Sequence, residues 1–186
     1  MSKEKNIVEQ CKTGDERAFK VLYNSYAPYV YTIVKDYILE HEERRDMLQD
    51  IFAHIFLSIK QYDEAKGQFK PWVRRLTINR CAVHLRSKNR LQLVFSMKDV
   101  KEDTEDLAFL DTMQRDELEH ILKPMPQGYR TIFLLNVLDD YSHKEIAKLL
   151  NIKEQTSRSQ LARAIKWIKS NKHVKSRLSK TIRNGK

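Results

Sequence analysis

Asp140-Tyr-Ser-His-Lys-Glu-Ile-Ala-Lys-Leu-Leu-Asn-Ile-Lys-Glu-Gln-Thr-Ser-Arg-Ser-Gln-Leu-Ala-Arg-Ala-Ile-Lys-Trp-Ile168 is the stretch that decides the fold. It reads as two helices joined by a tight turn. Ser142 and Glu145 have the S-x-x-E spacing of a capping box, which satisfies two backbone donors at a helix start. Ile146, Ala147, Leu149 and Leu150 give that helix an apolar side. Asn151, a residue type that tolerates left-handed backbone, ends it. Ile152 is expected to plug the angle, and a second helix follows from about Glu154.

At 100° per residue the second helix divides into two faces. Ser157, Leu161, Ala164, Ile165 and Ile168 fall on one, expected to be the anchor. Gln155, Arg158, Ser159, Ala162, Arg163, Lys166 and Lys169 fall on the other. The second set combines long cations for phosphates and guanine edges, short hydrogen-bonding groups for base edges, and a small apolar group for close approach. A helix anchored on one side can enter a major groove with the other. The plainer reading is a helical hairpin with a solvated basic face. Capping box, short turn and acid-free basic face together favour DNA.

Working outward, the 186 residues hold only 4 Gly and 4 Pro and are dominated by helical periodicity, so the expected class is all-α. Net charge is +10, which favours a polyanionic partner. The charge is unevenly placed. Asp99 to Glu119 carries nine acids against two bases, whereas Lys166 to Lys186 carries eight bases and no acid. No apolar run approaches the ~18 residues of a membrane span, and the opening Met-Ser-Lys-Glu-Lys-Asn has no apolar signal core. Cys11 and Cys81 lie far apart and suit free thiols in a reducing compartment. A cytoplasmic protein without membrane insertion is expected.

In the N-terminal half, Ile7, Val8 and Cys11 begin a helix that Thr13-Gly14 interrupts, and Asp15 starts the next. Pro28 is expected to break that helix or open another. After a charged turn, Glu40 to Arg45, a helix over Asp46–Ile59 is expected to bury Met47, Leu48, Ile51, Phe52, Ile55, Phe56 and Ile59. Asp46, Gln49 and Asp50 lie on its more polar side. Beyond a loop around Asp63 to Gly67, Phe69–Arg86 interleaves aromatics with arginines, including Phe69, Trp72, Arg75, Arg80 and Arg86. That pattern suits single-stranded DNA, whose unstacked bases need flat surfaces and whose backbone needs cations. A core helix with a solvated basic edge is the alternative. Helical periodicity lapses from about Leu91 to Glu105, marking a linker. The expected division is 1–90, an acidic linker over 91–106, a second unit over 107–172 holding a short helix from about Leu107, and a basic tail over 173–186.

The two halves together resemble one family. Gly14-Asp-Glu-Arg-Ala-Phe19, then Asp46-Met-Leu-Gln-Asp-Ile-Phe52, Phe69-x-x-Trp72 with Asn79-Arg80, Pro126-x-x-Tyr129-Arg130-x-x-Phe133, Glu145-Ile-Ala147 and Thr156-x-Arg158-Ser159-x-Leu161-x-Arg163-Ala164 are similar, in order, to the motifs of bacterial sigma factors of the extracytoplasmic-function type. The resemblance implies sigma domain 2 and a helix-turn-helix sigma domain 4. It implies that Asp46, Gln49 and Asp50 meet the clamp helices of RNA polymerase's largest subunit, and that the second domain meets the flap of the second-largest. Phe69, Trp72, Arg75, Asn79, Arg80 and Arg86 are then expected at the −10 element. Gln155, Arg158, Ser159, Ala162, Arg163 and Lys166 are expected at the −35 element. Partners implied are core RNA polymerase, promoter DNA and an anti-sigma factor. Ser157 replaces the family's usual apolar Val, and Gln160 stands where a phosphate-contacting Arg is common.

Catalysis is not expected. The six histidines show no metal-ligand spacing, no glycine-rich phosphate loop exists, and neither cysteine has a local base. No cofactor and no metal are expected. The alternative function is a free-standing helix-turn-helix regulator that binds duplex DNA without polymerase.

Overall fold

The computed structural model describes residues 3–88 and 115–170, with side chains from residues 4 and 118 onward. The expected linker over 91–106, the helix start at Leu107 and the tail over 173–186 lie outside the described residues. Among the described residues there is no strand. The chain divides into two compact units, Met1–His84 and Leu85–Lys186.

The first unit is built from α1 (Lys3–Lys12), α2 (Glu16–Tyr37), α3 (His41–Ser58) and α4 (Phe69–Ser87) as far as His84, with short 3-10 turns at Ile59–Gln61 and Glu64–Lys66. Asp15 caps α2, its carboxylate accepting from the Arg17 and Ala18 amides at 2.8 and 3.1 Å. Gly14, at φ 90°, makes the left-handed turn between α1 and α2 that a Cβ would disfavour.

Two local expectations change. Pro28 does not end the helix; α2 runs through it. Its ring is on the exposed side, while Ala18, Leu22, Val30, Ile33, Val34 and Tyr37 are buried on both sides of it. Burial of those side chains, at about 1.5–3 kcal/mol each when complete, outweighs the ~3 kcal/mol of an interior proline. The charged segment Glu40 to Arg45 is no turn beyond its first residue, because α3 already begins at His41. Glu42 and Glu43 sit in its first turn, where they complement the positive end of the helix dipole. Arg44 donates from Nε and Nη2 to the Ile38 and Leu39 carbonyls at 2.8 and 2.9 Å, closing the end of α2.

Along α3, Met47, Ile51, Phe52, Ile55 and Ile59 are buried as expected. Leu48 is only half-buried, and Phe56 is 42% exposed with its ring 4.9 Å edge-on to Phe19. The buried stripe is therefore narrower than the run of apolar letters. Within α4, Val73, Thr77, Ile78, Cys81 and Ala82 are buried, and Thr77 returns its hydroxyl to the Val73 carbonyl at 2.8 Å.

The second unit comprises α5 (Arg115–Leu122), α6 (Gln127–Phe133), α7 (His143–Leu150) and α8 (Glu154–Ser170). A π-helical turn, Leu134–Leu138, continues α6, closed by the Asp139 amide donating to the Leu134 carbonyl at 3.0 Å. Ile132, Phe133, Leu134 and Leu135 are buried there, and α6 and α7 both pack on α8. The capping box forms in both directions: the Glu145 amide donates to Ser142 Oγ at 3.3 Å and the Ser142 amide to Glu145 Oε2 at 2.9 Å. Asn151 adopts φ 55°, ψ 51° and turns the chain into α8.

Position on the helix, not letter, should decide stability. Ile55→Ala, at 1% exposure, should cost about 2–5 kcal/mol, whereas Leu57→Ala, at 71% exposure two residues later, should stay within ~0.5 kcal/mol. Urea denaturation of the full chain measures both.

Candidate nucleic-acid interface

α8 is pinned from within. Ser157, Gln160, Ala164, Ile165 and Ile168 are buried, while Leu161 is half-buried. Ser157 is a core residue, and its hydroxyl lies 2.9 Å from His143 Nδ1 at the start of α7, a polar tie between the two helices. Gln160 departs from what the resemblance suggests for its position. It is 1% exposed, so this position faces the core and is not aimed at a phosphate.

Gln155 and Lys166 are exposed, and Arg158, Ser159, Ala162, Arg163 and Lys169 are half-buried; none of the seven residues of the basic face is shut inside. Arg158 is held by Glu154 one turn earlier, Nη2 to Oε1 at 2.7 Å. Such an i,i+4 pair on an exposed helix is worth only about 0.3–0.5 kcal/mol, so it orients the guanidinium without locking it.

On α4 the expected set separates. At 100° per residue, Trp72, Arg75, Asn79 and Arg86 fall along one stripe of the helix, each partly or fully exposed. Phe69 and Arg80 turn away from it. Phe69 is 4% exposed. Its ring stacks on Trp72 at 5.5 Å and 26°, and receives Tyr26 and Tyr62 edge-on at 5.3 and 5.1 Å. Phe69 thus supports the half-buried Trp72 and has little face of its own to offer a base. Arg80 reaches across to α3, where Nε and Nη2 hold Asp50 at 2.8–3.0 Å.

Tyr26 and Tyr62 are participants that sequence reasoning missed. They come from α2 and from the residue just past the Ile59–Gln61 turn, and only packing shows that they share one cluster with Phe69. Burial first, then the hydrogen bond to Glu4 Oε1 at 2.7 Å, pushes the Tyr26 phenol well up, so it stays protonated. Tyr62 donates to the Gly67 carbonyl at 3.0 Å and carries Lys12 5.3 Å from its ring centre. Beside them lies a cavity of about 390 Å³ walled by Tyr62 and Phe69 and rimmed by Glu4, Lys5, Glu9, Glu64 and Lys70.

On α3, Asp46 and Gln49 are exposed and Asp50 is half-buried. Ala53 and Leu57 continue the same stripe. Cys11, buried and with its thiol pushed up first by burial and then by Asp15, is no nucleophile. Among the described residues no group of three or more His, Cys, Asp or Glu could hold a metal ion, and no helix is long and apolar enough to cross a membrane.

Residues 22–91 match Sigma-70 region 2, and residues 115–168 match Sigma-70, region 4. The chain is similar to RNA polymerase sigma-H factor of Pseudomonas aeruginosa, 24% identical over 178 residues, covering 87% of this chain and 89% of the other. It is similar to ECF RNA polymerase sigma factor SigW of Bacillus subtilis, 24% identical over 176 residues, covering 86% and 91%. A solved structure of CnrH in complex with the cytosolic domain of CnrY aligns over 88% of this chain and 93% of that one, at 17% identity and a TM-score of 0.45.

Because Gln160 is inside, Gln160→Arg should not tighten DNA binding. It should destabilise the second unit by several kcal/mol, the cost of burying an ill-matched charge, read as an earlier urea transition with unimproved duplex affinity.

Proposed function

The chain belongs to the sigma-70 family, in its extracytoplasmic-function group, and on that premise we propose which of its surfaces carry each step of promoter-directed transcription initiation. It is a sigma factor: it associates with core RNA polymerase and directs initiation at promoters. Members of this family bind DNA and initiate transcription. The division of labour follows from the two units.

The basic face of α8 reads the −35 element. Gln155, Arg158, Ser159, Ala162, Arg163 and Lys166 are its contacts, because the buried opposite face fixes the helix while leaving these side chains outside. Phosphate contacts from Lys166 position the helix, and Arg158 or Arg163 makes the bidentate base contacts that discriminate.

The α4 stripe takes the −10 element once its strands part. Base extrusion costs a few kcal/mol, and stacking on an aromatic returns about 1–3 kcal/mol per base. Trp72 is the stacking platform and Phe69 its support. Arg75, Asn79 and Arg86 track the backbone and base edges. The observation that carries this reading is the stacked Phe69–Trp72 pair, buried on one member and half-open on the other.

Asp46, Gln49 and Asp50 on α3 meet the clamp helices of the largest polymerase subunit, with the second unit on the flap of the second-largest. Their exposure on one stripe supports this assignment. Restraint by an anti-sigma factor rests on the family relationship alone. A free-standing regulator has no use for a sigma-70 region 2 across residues 22–91, so that alternative is set aside.

Co-elution with core polymerase and run-off transcription test the whole. Arg163→Ala should lose about 1–3 kcal/mol of −35 discrimination with polymerase affinity intact. Trp72→Ala should lose a similar amount for single-stranded −10 DNA while leaving duplex −35 binding unchanged. Asp46→Lys should weaken co-elution and spare both DNA readings.

A further inference from the structure

The polymerase surface and the DNA surface share one ion pair. Asp50 stands on α3 in the set assigned above to polymerase, and Arg80 on α4 in the set the resemblance places at the −10 element. Thirty residues apart in sequence, they are joined side-on: Arg80 Nε donates to Oδ2 at 2.9 Å, and Nη2 to Oδ1 at 3.0 Å and Oδ2 at 2.8 Å. The guanidinium edge that clasps Asp50 is the edge that would clasp a phosphate, since both ligands ask for the same two parallel N–H groups. Arg80 cannot hold the two at once with that edge.

The pair is also easy to exchange. The side chains of Arg80 and Asp50 are 30% and 42% exposed. Water therefore reaches both partners and screens their attraction. An incoming cation can take the carboxylate while the departing arginine is already near solvent.

We propose that the Asp50–Arg80 pair is an exchange latch between the two surfaces. In the protein alone, each member occupies the other. When an arginine or lysine of the polymerase takes Asp50, Arg80 is released to a phosphate of the parted strand. Because coupling is reciprocal, DNA on Arg80 must strengthen the hold of polymerase on Asp50 by the same factor. That factor is bounded by the pair's own strength, which sets it at several-fold. The inference rests on the assignment of Asp50 to the polymerase surface; docking thereby raises the availability of Arg80 to the −10 element several-fold, unlike that of Trp72 and Arg75.

The test is a double-mutant cycle on the full-length chain: Asp50→Asn, Arg80→Gln and both together. The probe is fluorescein-labelled oligodeoxythymidine, followed by anisotropy across graded salt, with core-polymerase affinity measured in parallel. Asp50→Asn should bind the oligonucleotide several-fold more tightly, with a salt slope steeper by about 0.7, the signature of one added single-strand phosphate contact. Arg80→Gln alone should bind it like the wild type and associate with core polymerase at least as tightly. The gain from Asp50→Asn should vanish in the Arg80→Gln background. A gain that persists there is a general charge effect and overturns the latch. So does an absent gain, a loss of oligonucleotide affinity in Arg80→Gln alone, or weakened polymerase association in Arg80→Gln, which would make Arg80 a strut for Asp50. Asp50→Ala removes the same partner of Arg80 and should show the same gain, lost again in the Arg80→Gln background, which covers the case in which Asp50→Asn does not fold. A wild-type chain that never co-elutes with core polymerase would defeat the functional assignment, whereas the cycle reports on the pair by itself.

Discussion

Burial of one side of α3, α4 and α8 within its own unit is what leaves the other side for a partner. In a folded protein most of a helix's stability comes from packing an apolar face. On α3 that face is Met47, Ile51, Phe52 and Ile55, and on α8 it is Ala164, Ile165 and Ile168. Once these side chains are committed, 100° geometry assigns Asp46 and Gln49, or Gln155 and Lys166, to the outside. The recognition surfaces are thus a by-product of how each unit closes. Their rigidity comes from the same source, since a side chain can be held to a groove only as firmly as its helix is held to a core.

The same economy operates in the aromatic cluster of the first unit. Tyr26, Tyr62 and Phe69 meet edge-on, the arrangement that aligns a ring's positive edge with its neighbour's negative face. Trp72 lies flat on Phe69 at the boundary of that cluster. A half-open indole held from beneath needs little reordering before it meets a base. Preorganisation of this kind matters because the favourable stacking and the cost of extruding a base are of similar size, and the balance is decided by what the protein does not have to spend.

Charged groups show a contrasting logic. The Asp50–Arg80 and Glu154–Arg158 pairs tie residues from the candidate surfaces to neighbours in their own units. All four side chains are at least 30% exposed, so these ties are weak enough to yield. The buried polar residues Thr77 and Ser157 are different: each is satisfied locally, Thr77 by a carbonyl one turn back and Ser157 by His143. Those bonds hold helices together and are not available for exchange.

Sequence by itself determined the helical class, the capping box at Ser142 and Glu145, the left-handed stop at Asn151 and the anchor of α8 at Ser157, Ala164, Ile165 and Ile168. Each depends on hydrogen bonds or periodicity within a few residues, which the order of letters specifies directly. Only the tertiary structure decided that α2 runs through Pro28, that Phe69 and Gln160 are inside, that Phe56 and Leu57 are not, and that Arg80 belongs to Asp50. Whether a side chain is covered depends on which distant helix arrives over it. A periodic pattern marks the face of a helix, but how wide a stripe is buried is set by the neighbour's shape.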